Sequence, residues 1–178
     1  MNRARSYEDA SVHTIATRLV FTSLVLALGI QAQAQSPRLT AAHAPAQVVF
    51  VCEHGSVKSL VASVYFNQRT RERGLPFRAV ARGVIPDSTV PATVREGLQG
   101  DGFKVSDFVP ELFQASDVDH AALVVSFDQE ITKIVDGRTR YLKWDDLPGV
   151  LADYPRGRDA ILRRIDALLD ELTHSGLP

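Results

Sequence analysis

One cysteine, Cys52, is the entire thiol content of this 178-residue sequence, which excludes an intramolecular disulfide and a cysteine-built zinc cluster. The five histidines, His13, His43, His54, His120 and His174, show no paired metal-ligand spacing, so neither a metal nor another cofactor is implied. An excess of basic residues is also missing. The net charge of −1 argues against nucleic acid as a partner, and no acidic tail suggests a disordered interaction segment. Long hydrophobic runs are scarce as well. The one candidate, residues 19–30, holds roughly a dozen positions, too few to span a bilayer as a helix.

That run follows Arg18 and leads into Gln31-Ala32-Gln33-Ala34-Gln35, whose small residues suit a signal-peptidase site. The expectation is a signal peptide over 1–34, a flexible lead-in over 35–45 and one α/β domain over 46–178. Cleavage after Ala34 would place the mature chain in the periplasm or outside the cell, with no stable membrane insertion. The polar segment before Arg18 is long and contains Glu8 and Asp9. A later translation start, giving a cytoplasmic protein, or an uncleaved anchor is therefore the competing reading. No cysteine follows the run, so a lipoprotein anchor is out.

What is present suits one folded domain: 45% of the residues are hydrophobic and 23% charged, with no internal repeat. From residue 47 onward, strand-like and helix-like segments alternate. Strands are expected over 47–51, 77–81, 121–127 and 140–144. Helices are expected over 59–73, from Pro91 to about Gln99, and through the periodic Ile161, Ile165, Leu168, Leu169 and Leu172. The pattern predicts an open four-stranded parallel sheet with helices on both faces. Ligands of such sheets bind beyond the carboxyl ends of the strands, where Cys52 lies.

Cys52 closes an apolar run and opens the loop Glu53-His54-Gly55-Ser56-Val57-Lys58-Ser59, ahead of a helix. Free backbone N–H groups and the positive end of the helix dipole favour a thiolate and an adjacent oxyanion. A buried structural cysteine is the plain alternative. A cation in a first helical turn is disfavoured by the dipole, so Lys58 is best explained by an anion partner. His54 either tunes the thiolate or faces solvent, and Glu53 reads as a solvated loop residue. A nucleotide P-loop does not fit, because the required glycine positions hold Val57 and Cys52.

A cysteine, five loop residues, a cation and a hydroxyl residue resemble the catalytic loop of the low-molecular-weight protein tyrosine phosphatases and the related arsenate reductases. Ala81-Arg82-Gly83-Val84 lies where that family has a Ser-Ala-Gly-Thr-like turn, and Trp144-Asp145-Asp146-Leu147-Pro148 resembles its aspartate-bearing loop. The likeness covers about residues 46–173. It implies Cys52 as nucleophile, Lys58 in the place of a phosphate-binding arginine and Ser59 as the hydroxyl steadying the thiolate. The backbone from Glu53 through His54, Gly55, Ser56, Val57 and Lys58 to Ser59 would cradle the phosphate oxygens. Asp146, with Asp145 beside it, is implied as proton donor. Asp128 and Asp153 stand further from the pattern, and Tyr154 either walls the substrate slot or caps the last helix.

Three departures qualify the likeness. The family's Gly-Asn pair is His54-Gly55, so the side chain that usually ties the loop together is missing. The family's Asp-Pro is Asp146-Leu147-Pro148 here. Lysine also offers a point charge in place of a planar fork, a loss of about 1.5–3 kcal/mol in a desolvated site. The expected function is a thiol-dependent phosphomonoester phosphatase acting on a phosphorylated small molecule or phosphoprotein. The alternatives are an arsenate reductase drawing on an external thiol and a non-catalytic oxyanion-binding protein. Oligomeric state is not legible.

Overall fold

The computed structural model describes residues 44–174, so the signal-peptide expectation over 1–34 and nearly all of the lead-in over 35–45 lie outside the described residues. Four strands form the sheet: β1 (Ala46–Cys52), β2 (Phe77–Gly83), β3 (Ala121–Ser126) and β4 (Arg140–Lys143). All pairings are parallel, in the order β2-β1-β3-β4. Strand side chains alternate between faces. Val48, Phe50 and Cys52 of β1 enter one core with α1 (Lys58–Arg73), α2 (Ala92–Gly100) and α5 (Tyr154–His174). Val49 and Val51 enter the other, with α3 (Ala115–Asp119) and α4 (Thr132–Val135). The expected architecture is thus the observed one, with helices on both faces.

The two short helices were not expected. Five and four residues are too few to display a 3.6-residue period, so only local capping could reveal them. α3 does carry such a signal: Gln114 and Asp117 form a reciprocal capping box at its start. α1 begins one residue earlier than expected and stops at Gly74, whose φ of 63° suits a residue without a Cβ. Trp144, expected within β4, lies just past it, with its N–H donating to the Ser126 carbonyl at 2.8 Å.

The main core is aromatic at its centre. Phe50 contacts Phe66, Phe127 and Trp144 with ring centroids 5.7–6.0 Å apart. Each such fully buried side chain stabilises the fold by roughly 1.5–3 kcal/mol. Phe127 and Trp144 follow β3 and β4, so this packing also fixes the chain leaving the carboxyl edge of the sheet. At that edge the register sets Cys52 opposite Gly83 and Val51 opposite Ser126. Loops from three parts of the chain therefore converge there.

A polar cluster ties α5 to α1 and to the end of α2. Asp101 accepts hydrogen bonds from Tyr65 (2.6 Å), Tyr154 (2.8 Å) and Arg158 (2.8 Å). The Tyr154 ring lies over Gly97, where a Cβ would come within 2.5 Å of it. Tyr154 is thus a buried pillar at the start of α5. Burial alone would raise the Asp101 carboxyl, but the three donors together outweigh it and hold it below the ordinary carboxylate range. Burial, then the bond to Asp101, pushes the Tyr65 hydroxyl up to about 12.

These shifts predict stability flanks on both sides of neutrality. A depressed carboxyl contributes stability that is present above its unfolded pKa and lost as pH falls below it, here under about pH 4. A raised phenol contributes stability that is present below pH 10 and lost as pH climbs towards 12. Asp101→Asn should lower stability at pH 7 by about 1 kcal/mol and flatten the acid flank. Urea midpoints from pH 3 to pH 7 test this, and an equally steep acid flank in the variant would refute it.

Candidate active site

The loop after β1 has an unusual backbone arrangement. The carbonyls of Cys52, Glu53 and His54 accept hydrogen bonds from the N–H groups of Val84 (3.1 Å), Ile85 (2.8 Å) and Asp87 (3.1 Å). The N–H groups from Glu53 to Ser59 donate to no acceptor among the described residues. Buried backbone donors ordinarily have partners, so a loop with its carbonyls tied outwards and its N–H groups left over is built to receive an anion. α1 begins at Lys58 and adds its positive end to the same place.

Cys52 lies at the base of this loop. Its Sγ is 3.0 Å from the Oγ of buried Ser59, so the hydroxyl can donate to the thiolate. Lys58 is mostly buried, its side chain 13% exposed. It donates to the Leu147 carbonyl at 3.2 Å and pairs with the Asp128 carboxylate. The cation that the sequence placed in the first turn of α1 therefore has an anion partner within the protein.

Two glycines let the loop reach this shape. Gly55 has φ 70°, and a Cβ there would come within 2.9 Å of the Gly83 nitrogen. A Cβ on Gly83 would come within 2.7 Å of the Gly55 nitrogen. The end of β2 and the loop thus meet backbone to backbone, a contact open only to glycine. Asp87 completes the brace. It accepts from the Ser56 hydroxyl at 2.5 Å, and its other oxygen is 3.3 Å from His54 Nδ1. This carboxylate takes over the tie that the loop lacks in its own sequence. Sequence reasoning missed it, because it lies thirty-one residues from Ser56 and belongs to no local motif.

Beside the thiol is a cleft of about 210 Å³. Val57, Phe127, Val150 and Leu151 give it apolar walls, and Cys52, Lys58 and Asp128 are among its polar lining. The expected proton donors Asp145 and Asp146 are not brought into it. Asp145 accepts from the Asp128 N–H at 2.9 Å and pairs with Lys143 at 3.0 Å. Asp146, 68% exposed, pairs with Arg164 and borders a different cleft. Asp153 caps α5 by accepting from the Arg156 N–H at 3.0 Å, and Tyr154 points to Asp101. Asp128, which the sequence ranked below the others, is the aspartate in the cleft, held in a left-handed conformation at φ 55°. Among the described residues no group of His, Cys, Asp or Glu could hold a metal ion.

Residues 47–143 match the family model described as low molecular weight phosphotyrosine protein phosphatase. Among solved structures, the chain is similar to YfkJ from Bacillus subtilis at 15% identity, with 74% of this chain and 96% of that one covered and a TM-score of 0.64. It is similar to a low molecular weight protein tyrosine phosphatase from T. tengcongensis at 20% identity, covering 71% and 99%, with a TM-score of 0.60. An arsenate reductase from Archaeoglobus fulgidus is 24% identical over 69% and 98% of the two chains, with a TM-score of 0.54. At these identities the likeness is one of fold. No curated protein sequence matches the chain.

If Asp87 braces the loop, Asp87→Ala should cost about 1–3 kcal/mol of stability and weaken inorganic phosphate binding about tenfold. Asp87→Asn, which still accepts from Ser56, should retain most of both. Calorimetric titration with phosphate distinguishes these outcomes, and wild-type affinity in the alanine variant would remove Asp87 from this role.

Proposed function

Because the chain belongs to the low molecular weight phosphotyrosine protein phosphatase family, we propose that it hydrolyses phosphomonoesters through a cysteinyl-phosphate on Cys52. The observation that carries this is the run of N–H groups from Glu53 to Ser59, directly after the thiol, that donate to no acceptor among the described residues. These donors sit where the charge of a transferring phosphoryl group develops, and they need no rearrangement as it does so. Lys58 supplies the compensating cation, and Ser59 steadies the sulfur before attack and as leaving group afterwards.

In the first step the Cys52 thiolate bonds to phosphorus, and the bond from phosphorus to the ester oxygen breaks. The departing alkoxide or phenoxide needs a proton. Asp128 is the carboxyl positioned to give it from the cleft wall. A phosphate oxygen arriving at Lys58 takes the place that Asp128 holds in the free protein. In the second step water attacks phosphorus, Asp128 accepts its proton, and the sulfur leaves as thiolate. Atoms and charges balance without a metal or a redox partner.

The apolar walls formed by Val57, Val150 and Leu151 suit the organic part of an ester. A second reading, an oxyanion-binding protein without turnover, is favoured by the pairing of Lys58 with Asp128, which any substrate must displace. Arsenate reduction would need an external thiol, since Cys52 is the only cysteine. Export to the periplasm or cell exterior is supported by the apolar run over 19–30 and by Ala32 and Ala34.

Release of p-nitrophenol from p-nitrophenyl phosphate should fall more than about 10³-fold in Cys52→Ser. Asp128→Asn should lower kcat about 10²–10³-fold without weakening phosphate binding, since an amide no longer competes for Lys58. Asp146→Asn should change kcat by less than about twofold. A wild-type protein that binds phosphate yet never forms cysteinyl-phosphate establishes the second reading. If kcat falls in Asp145→Asn or Asp146→Asn but not in Asp128→Asn, the proton donor is misassigned.

A further inference from the structure

On the far side of the catalytic rim lies a second cleft, of about 350 Å³. One wall is residues 146–148. The other is a stripe of α5 formed by Arg156, Ala160, Arg163 and Arg164, spaced i, i+4, i+7 and i+8, which places them on one helical face. Arg164 is paired with Asp146. The guanidinium groups of Arg156 and Arg163 meet no carboxylate among the described residues. The cleft thus carries three cations against one anion.

Arg156 stands in the first turn of α5, which contains no acidic residue. A cation there opposes the helix dipole. Its neighbour Arg158 pairs with Asp101 at 2.8 Å and Asp159 at 2.9 Å, whereas Arg156 has the capping Asp153 at its backbone N–H (3.0 Å) and no carboxylate at its guanidinium among the described residues. The arrangement repeats that of Lys58 at the start of α1, where an anion partner accounts for the charge. The catalytic mouth is different in sign: Glu53 and Asp128 line it with Lys58 as its lysine. The basic surface next to the site is therefore on the α5 side of the rim.

The two clefts share the rim itself. Pro148 borders the basic cleft and Gly149 the catalytic one, and consecutive Cα atoms lie about 3.8 Å apart. The clefts therefore adjoin at this rim, so an extended chain with its phosphorylated residue over Cys52 can run on towards the arginines.

We infer that Arg156 and Arg163 form a docking subsite for an acidic side chain flanking the phosphorylated residue, which makes the substrate a phosphoprotein with acidic surroundings. This rests on the phosphatase reading above for the position of the phosphate, but the basic cleft is testable by itself. Carboxylate–guanidinium pairs at such exposed positions give specificity among substrates more than raw affinity.

The test uses the full chain carrying Cys52→Ser, so that peptides are bound and not consumed, with and without Arg156→Gln/Arg163→Gln. Fluorescence anisotropy measures three peptides: phosphorylated with acidic residues two to four positions away, phosphorylated with neutral residues there, and acidic without phosphate. The acidic phosphopeptide should bind about three- to tenfold more tightly than the neutral one, and the ratio should approach one in the arginine variant and at high salt. A ratio near one in the parent protein, or a preference that survives the arginine substitutions, overturns the subsite. If phosphate adds nothing to binding of the acidic peptide, the phosphatase reading fails, while the dependence of that binding on Arg156 and Arg163 still decides the subsite.

Discussion

The site depends on the direction of a few peptide groups. With the carbonyls of Cys52, Glu53 and His54 bonded to residues 84–87, the N–H groups of Glu53, His54 and Gly55, antiparallel within the same planar peptide units, face the other way. The thiol, the helix start and the buried Ser59 take their meaning from that choice. A cysteine at the end of a strand is common enough, but one beneath a ring of unused donors is a place for an oxyanion. The sheet register makes the choice possible, because Cys52 and Gly83 end side by side in β1 and β2. Two residues without side chains then bring the backbones into contact.

Electrostatics at the same site is a balance between internal and external anions. Lys58 is satisfied in the free protein by Asp128 and the Leu147 carbonyl, and so is not a bare charge waiting for a ligand. An incoming phosphate exchanges one anion for another at this cation and gains the backbone donors as well. The replacement of a planar arginine fork by an ammonium group fits this exchange, since lysine makes and breaks single contacts without losing a bidentate geometry. In the proposed reaction the same carboxylate that occupies the cation in the free protein carries the proton.

Much of this was legible in the sequence. The apolar runs at 47–51 and 121–127 and the periodic positions of α5 gave the parallel sheet and its covering helices, because burial on two faces leaves a strong compositional trace. The loop after β1 was legible for a different reason: Cys52, Lys58 and Ser59 are neighbours in the chain, so their spacing survives as a pattern. Asp87 and Asp128 left no such trace. Their roles come from the meeting of loops thirty-one and seventy residues away from their partners. Asp145 and Asp146 were favoured by their proximity to Pro148, but sequence distance does not tell which way a side chain points. One turns to the Asp128 backbone and the other to Arg164.

The contact between Gly55 and Gly83 has one more consequence. A loop stiffened by its own side chains would carry its anion seat into partly folded states. Here the seat exists only once β2 has docked beside β1, a pairing between segments about thirty residues apart. Anion affinity is therefore a property of the completed fold, absent from the unfolded chain. By linkage, phosphate becomes a partner in the folding equilibrium, adding RT ln(1 + [L]/Kd) to stability. Phosphate around the protein would help set how strongly the fold resists unfolding, whether or not any ester is being cleaved.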